Sequence, residues 1–187
     1  MKINNTIYVK DPKEWRIWLK KHYKTEDEIW LIYPKKATGK ARIEYNDAVE
    51  EALCFGWIDS INKRLDDDHT VQRFSPRKQK AKYSQANIER LRYLVAKKRV
   101  IKEVADTLGE QMSEEFIIPA SILNAIKANK KAWRNFQSFS DSYIRIRIAY
   151  IENARKRPDE FKKRLRNFIR MTERNKMFGF GGIEKHF

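Results

Sequence analysis

The chain has 187 residues, 41% of them hydrophobic and 12% aromatic, which suffices for one large domain or two small ones with real apolar cores. Its 41 Lys and Arg outnumber 25 Asp and Glu, and the resulting net charge of +16 points to nucleic acids, anionic surfaces or acidic partners. No run approaches the roughly 20 apolar residues of a bilayer span, and a single cysteine, Cys54, excludes an internal disulfide.

The first five residues lack the apolar core of a secretory leader, so a cytoplasmic location is expected. Thr6 to Val9 reads as a short strand. Asp11, Pro12 and Glu14 then open a helix, with Asp11 as cap, Pro12 at the first helical position and Glu14 completing a capping-box pattern. Trp15, Trp18, Leu19, His22 and Tyr23 follow at helical spacing. Glu28 to Tyr33 is a strand ended by Pro34, and Pro34 to Arg42 is a basic loop turning at Gly39. Asn46 is expected to cap the next helix, whose apolar face is Tyr45, Ala48, Val49, Ala52 and Leu53. Gly56 ends that helix in a left-handed conformation. Strands at Trp57 to Ile61 and Val71 to Phe74 flank an Asp66-Asp67-Asp68 turn.

From Ser84 the pattern is helical. Ser84 caps a helix buried along Ile88, Leu91, Leu94 and Val95, and a further helix is expected over residues 101–112. Pro119 begins a second helical set, with Ile122, Ala125 and Ile126 on one face and Trp133, Phe136 and Phe139 on another. Ile144 to Ile148 alternates like a strand, but Ile144, Ile148 and Ile151 also fit a helical face, and helix is the expectation. Pro158 starts the last helix, with Phe161, Leu165, Phe168 and Ile169 inward. The tail from Phe178 to Gly182 is expected to be mobile. The predicted fold is α+β: a mixed α/β domain with a small sheet at residues 1–112, then an all-helical domain at 113–187.

Three runs carry a family resemblance. They are Ile29-Trp30-Leu31-Ile32-Tyr33-Pro34-Lys35-Lys36; Tyr45 to Ser60, centred on Glu51-Ala52-Leu53-Cys54-Phe55-Gly56-Trp57-Ile58-Asp59-Ser60; and Arg73-Phe74-Ser75-Pro76-Arg77-Lys78 with Ser84, Asn87 and Arg90. Together they resemble the YdeI/OmpD-associated (bacteriocin-protection) family. Ile118-Pro119, Ala125-Ile126, Ala132, Phe136, Tyr150-Ile151, Ala154-Arg155 and Arg164-Leu165 are similar to its helical domain. The sequence departs from that pattern at Ala81-Lys82-Tyr83-Ser84, where the family shows Ser-x-Trp-Ser, and at Ser121, where it has an acidic residue. The resemblance implies protection against bacteriocins or antimicrobial peptides and a porin association. It names a phenotype and no reaction.

Two groups of residues are candidates for function. The first is Trp57, Asp59, Lys63, Arg73, Ser75, Arg77, Tyr83, Ser84 and Asn87. Arg73 and Ser75 share a strand face, and Ser84 and Asn87 lie at a helix start whose free N–H groups favour an anion. The arginines suit a phosphate or carboxylate, with Trp57 and Tyr83 as walls. The competing reading is structural: Asp59 pairs with Arg73, and Ser84 only caps its helix. An enzyme built on Asp59, Arg73, Arg77 and Ser84 is the alternative functional class.

The second group is Arg155, Lys156, Arg157, Lys162, Lys163, Arg166 and Arg170. Residues 141–187 carry 13 basic and 6 acidic side chains against 24 and 17 in residues 1–112, so charge density peaks in the last helices. That face suits an acidic protein, nucleic-acid phosphates or an anionic membrane; its competing reading is a solvated outer surface. Cys54 sits in an apolar helix, where an inert thiol is the rule. His22 reads as a packed or surface histidine, and the Asp66 to Asp68 turn lacks the full calcium-loop pattern. With three His and one Cys scattered, no metal site or cofactor is expected. The leading expectation is a non-enzymatic protein binding a small anionic ligand or an acidic partner.

Overall fold

A computed structural model of the chain describes residues 3–78, 81–179 and 183–186. The chain divides into two compact units, Met1–Lys82 with Leu91–Gly109, and Tyr83–Arg90 with Glu110–Phe187.

The first unit is built on a four-stranded sheet. Strand β1 (Thr6–Tyr8) leads into helix α1 (Pro12–His22) and strand β2 (Ile29–Pro34), which returns parallel to β1. Helix α2 (Tyr45–Cys54) follows, then the hairpin of β3 (Trp57–Arg64) and β4 (His69–Pro76). The sheet order is β1-β2-β4-β3, with β4 antiparallel to both neighbours. Asp11 caps α1 as expected, accepting from the N–H groups of Lys13 and Glu14, while Glu14 Oε2 accepts from Lys10 N at 2.8 Å. Trp15 and Leu19 are fully buried, and Trp15 reaches both α2, donating to Ala48 O at 3.1 Å, and Phe74 of the sheet, 5.4 Å away between rings.

Local expectations fail at two places in this unit. Asn46 is not the cap of α2: Glu44 holds that position without a side-chain bond, and Asn46 is buried within the first turn. Eight of the helix's ten residues are buried, so packing and not a cap fixes where it begins. The helix expected over residues 101–112 is two short pieces, α4 (Lys102–Ala105) and α5 (Gly109–Ser113). Between them the Thr107 hydroxyl donates to Val104 O at 2.7 Å, a side-chain bond that competes with helix continuation. Gly56 does end α2 with φ of +73°, as its position predicts.

Helix α3 (Gln85–Ala96) spans the point where the chain passes between units. The second unit otherwise consists of α6 (Ala120–Lys127), α7 (Lys130–Phe136), α8 (Asp141–Glu152) and α9 (Pro158–Glu173), besides most of α5 and a 3-10 turn at Ile183–His186. Ile122, Ile126, Phe136, Tyr143, Ile148, Ile151 and Phe168 form its core. The strand-like alternation from Ile144 is helix α8, capped by Ser140. Asn135 Nδ2 donates to the carbonyls of Thr172 and Glu173 at 2.9 and 3.2 Å, fastening α7 to the end of α9. Phe178, placed by the sequence in a mobile tail, packs against this core, and its N–H donates to the Tyr143 hydroxyl at 3.3 Å. Phe180, Gly181 and Gly182 of that tail lie outside the described residues.

Candidate functional site

The sheet separates residues that the sequence groups together. Asp59 lies opposite Phe74 on β4, and so faces the helices. Its Oδ2 accepts from the Tyr45 hydroxyl at 2.6 Å and from Gln72 Nε2 at 3.4 Å. Arg73 points to the other face. Its Nε donates to Glu28 Oε2 at 2.7 Å, and its NH1 lies 3.3 and 3.4 Å from the hydroxyls of Ser60 and Ser75. Arg73 therefore pairs with Glu28 and not with Asp59, and the Arg73 guanidinium holds the Glu28 carboxyl below its ordinary range.

Lys63 shares the Arg73 face, its ammonium 5.4 Å above the Trp30 ring. The Trp57 indole is 1% exposed and donates to Tyr23 O at 3.0 Å, with its ring edge-on to Trp18; it is committed to the core. Arg77 follows β4, its backbone N–H donating to Gly56 O at 2.9 Å. Tyr83, Ser84 and Asn87 belong to the second unit. There Ser84 Oγ accepts from Asn87 N at 3.3 Å, Asn87 Oδ1 accepts from Arg90 at 2.8 Å, and Tyr83 N donates to Gln111 at 3.0 Å. Arg73, Ser75 and Lys63 are thus brought to one face of the sheet, Asp59 to the other, and Ser84 caps its helix.

A charged cluster absent from the sequence reading sits beneath α2. Glu50 and Glu51 are 2% and 4% exposed. Glu51 accepts from Arg16 at 2.7 Å and from Arg99 at 2.6 Å, Glu50 lies 3.9 Å from Arg99, and Arg16 also donates to Arg99 O at 2.7 Å. Two consecutive acids inside the apolar run Ala48 to Cys54 were the available signal; buried carboxylates demand partners. Cys54 lies beside this cluster, fully buried. Burial and then the Glu51 charge push its thiol up from 9.0 to about 11, against the lowering effect of Arg16. Such a thiol is a poor nucleophile at neutral pH. The His22 ring is half-buried and lies 4.9 Å from that of Trp18, tilted by 30°.

Two sets stand out among the basic residues of the second unit. Arg145 is consumed by buried Glu89, to which it donates twice, at 2.7 and 2.9 Å. Arg155 pairs with Glu152 at 2.6 Å and lies 4.1 Å over the Phe161 ring, and Arg164 bonds Glu160 and Tyr150 O, both at 2.7 Å. The other set is exposed: Lys156 and Arg157 before α9, and Lys162, Lys163, Arg166 and Arg170 along it. Lys162, Arg166 and Arg170 make no ion pair among the described residues; Arg170 donates to Asn167 at 2.8 Å. Their four-residue spacing sets them in one row of about 12 Å, at about 1.5 Å rise per residue. The buried positions Phe168 and Thr172 lie on the opposite side of α9.

Among the described residues no group of three or more His, Cys, Asp or Glu side chains is placed to hold a metal ion, and no helix is long and apolar enough to cross a membrane. Residues 7–106 match the model of a family described as a domain of unknown function, DUF8412. Residues 115–175 match that of the family described as bacteriocin-protection, YdeI or OmpD-associated. The curated proteins and the solved structures compared with the chain gave no match. The family read from the sequence is thus matched on the C-terminal helices, while the N-terminal runs fall within DUF8412.

Proposed function

We propose, for a chain that belongs to the DUF8412 family through residues 7–106 and carries the bacteriocin-protection, YdeI or OmpD-associated match through residues 115–175, that it is a non-enzymatic protection protein whose α9 face binds an acidic partner. One observation carries this reading. Within the YdeI/OmpD-associated segment, Arg145, Arg155 and Arg164 are each neutralised by a carboxylate, whereas Lys162, Arg166 and Arg170 stand in one exposed row without one. A fold that pairs some arginines and leaves an ordered row uncompensated concentrates positive potential there. The buried Cys54 thiol, held protonated at neutral pH, fits a binding protein better than a nucleophilic enzyme. A cytoplasmic location belongs to the same proposal.

Nucleic acid is the second reading, favoured by the regular charge spacing along α9. Fluorescence anisotropy of labelled poly-glutamate, duplex DNA and single-stranded RNA, at several salt concentrations, tests both. The expected result is binding that weakens with salt and falls at least about tenfold in the Lys162→Gln/Lys163→Gln/Arg166→Gln/Arg170→Gln variant. A log–log salt slope shared by DNA and RNA and missing for poly-glutamate would favour nucleic acid. Wild-type affinity in the quadruple variant would refute the α9 assignment.

A further inference from the structure

The outer face of the sheet, away from α1 and α2, carries a groove of about 300 Å³. Its walls are apolar: Tyr8 on β1, Ile32 and Pro34 on β2, and Leu65 at the β3–β4 turn. Tyr8 and Leu65 leave 38% and 39% of their surface exposed, so the trough offers accessible apolar area. Three polar side chains complete the lining, Lys40, Asp66 and His69.

Those polar groups are not equivalent. Asp66 is engaged by its own turn: its Oδ1 accepts from the N–H groups of Asp68 and His69, both at 2.8 Å, and its carboxylate lies 2.9 and 3.0 Å from His69 Nδ1. These bonds turn the carboxylate toward its own backbone, where it keeps its charge, and the His69 bond leaves Nε2 as the remaining ring nitrogen. Lys40 is the opposite case. It stands exposed, with no ion pair among the described residues, in a loop whose charged residues Lys35, Lys36, Lys40 and Arg42 are all basic.

That loop is held in place. The Tyr8 hydroxyl donates to Ala41 O, Arg42 donates to Pro34 O at 2.8 Å, and Thr38 donates to Lys35 O at 2.8 Å and receives Lys40 N at 3.3 Å. Gly39, at φ of +66°, supplies the turn. The cation is thus carried on an ordered loop at the rim of an apolar trough, the usual composition of a small-molecule site: mostly apolar walls with a few placed polar groups.

We propose that this groove binds a small monocarboxylate with an aromatic or aliphatic body. The body lies against Tyr8, Ile32, Pro34 and Leu65, the carboxylate meets Lys40, and His69 Nε2 is available to a polar substituent. The site is independent of the α9 face and stands or falls separately from it.

Benzoate is the probe, and benzamide, of the same shape without the charge, is the control. Both are titrated into the full ¹⁵N-labelled chain, with the imidazole of His69 followed by its ring-proton shift. Benzoate is expected to move the signals of Tyr8, Ile32, Leu65 and His69 saturably, and benzamide to bind about fivefold or more weakly. Lys40→Ala brings benzoate down to the benzamide level and leaves benzamide unchanged. Leu65→Asn, at an exposed position that folding tolerates, weakens both. The α9 quadruple variant binds benzoate as wild type does. Shifts confined to other surfaces, equal binding of benzoate and benzamide, wild-type benzoate affinity in Lys40→Ala, or loss of benzoate in the α9 variant would each overturn the proposal.

Discussion

Replacing Glu51 by Gln isolates the electrostatic core of the first unit. The carboxylate is 4% exposed and holds Arg16 at 2.7 Å and Arg99 at 2.6 Å. Gln keeps the shape and one acceptor but removes the charge from between two guanidiniums. Breaking a fully buried ion pair by deleting one partner costs about 3–5 kcal/mol. Here the Arg16 and Arg99 side chains are 36% and 35% exposed, so water screens the charges left behind. Glu50 also remains 3.9 Å from Arg99. The expected loss is therefore about 2 kcal/mol, which lowers a urea midpoint by roughly 1 M at a slope of about 2 kcal/mol/M. Tryptophan fluorescence reads it cleanly in a Trp133→Phe background, because Trp15, Trp18, Trp30 and Trp57 all lie in the first unit. The quadruple replacement Arg16→Met/Glu50→Gln/Glu51→Leu/Arg99→Met, which removes the charges of the cluster together, is expected to recover most of the loss. A Glu51→Gln variant within about 0.5 kcal/mol of its parent would refute the reasoning, because it would leave the buried carboxylate without electrostatic consequence.

Three further outcomes follow from particular residues. Gly56→Ala places a Cβ 3.2 Å from Val104 Cγ2 at φ of +73°, and thermal denaturation is expected to show a loss of about 1–2 kcal/mol. The Cys54 thiol ionises at 9.0 when exposed and at about 11 in the fold, so the folded state keeps a proton that the unfolded chain releases. Its contribution is full below pH 9 and is lost as pH rises toward 11. Stability is accordingly expected to fall more steeply over that window in wild type than in Cys54→Ala, measured by urea titration at each pH; identical pH profiles would contradict the burial argument. Arg145→Ala strips buried Glu89 of a partner that donates to it twice, at 2.7 and 2.9 Å. A loss of about 2–3 kcal/mol, followed by Trp133 fluorescence, is expected.

Much of the secondary structure was legible because its signals are local. Asp11 with Pro12, Ser84 and Gly56 act through bonds or backbone angles within a few residues, so the chain announces them. The α8 segment is the instructive middle case. Ile144, Ile146 and Ile148 alternate as in a strand, and the helical extension to Ile151 decided the expectation correctly. Local rules failed where a competing bond or burial prevailed. The Thr107 hydroxyl interrupts the helix expected over 101–112, and the burial of nearly all of α2 moves its start away from Asn46.

The sequence by itself determined the apolar periodicity, the Asp11 and Ser84 caps, the α+β order of elements and the concentration of positive charge in the last helices. Each of these depends on neighbours in the chain. Strand pairing and side-chain partners do not. Only the tertiary structure decided that Arg73 meets Glu28, 45 residues away, and not Asp59, because register puts Asp59 and Arg73 on opposite faces of one sheet. Only it decided that Glu51 binds Arg16 and Arg99, and which arginines of the helical unit are neutralised and which stand exposed. A charge can be counted from the sequence, but its counter-ion is fixed by the fold, and it is the uncompensated charges that are left for a partner.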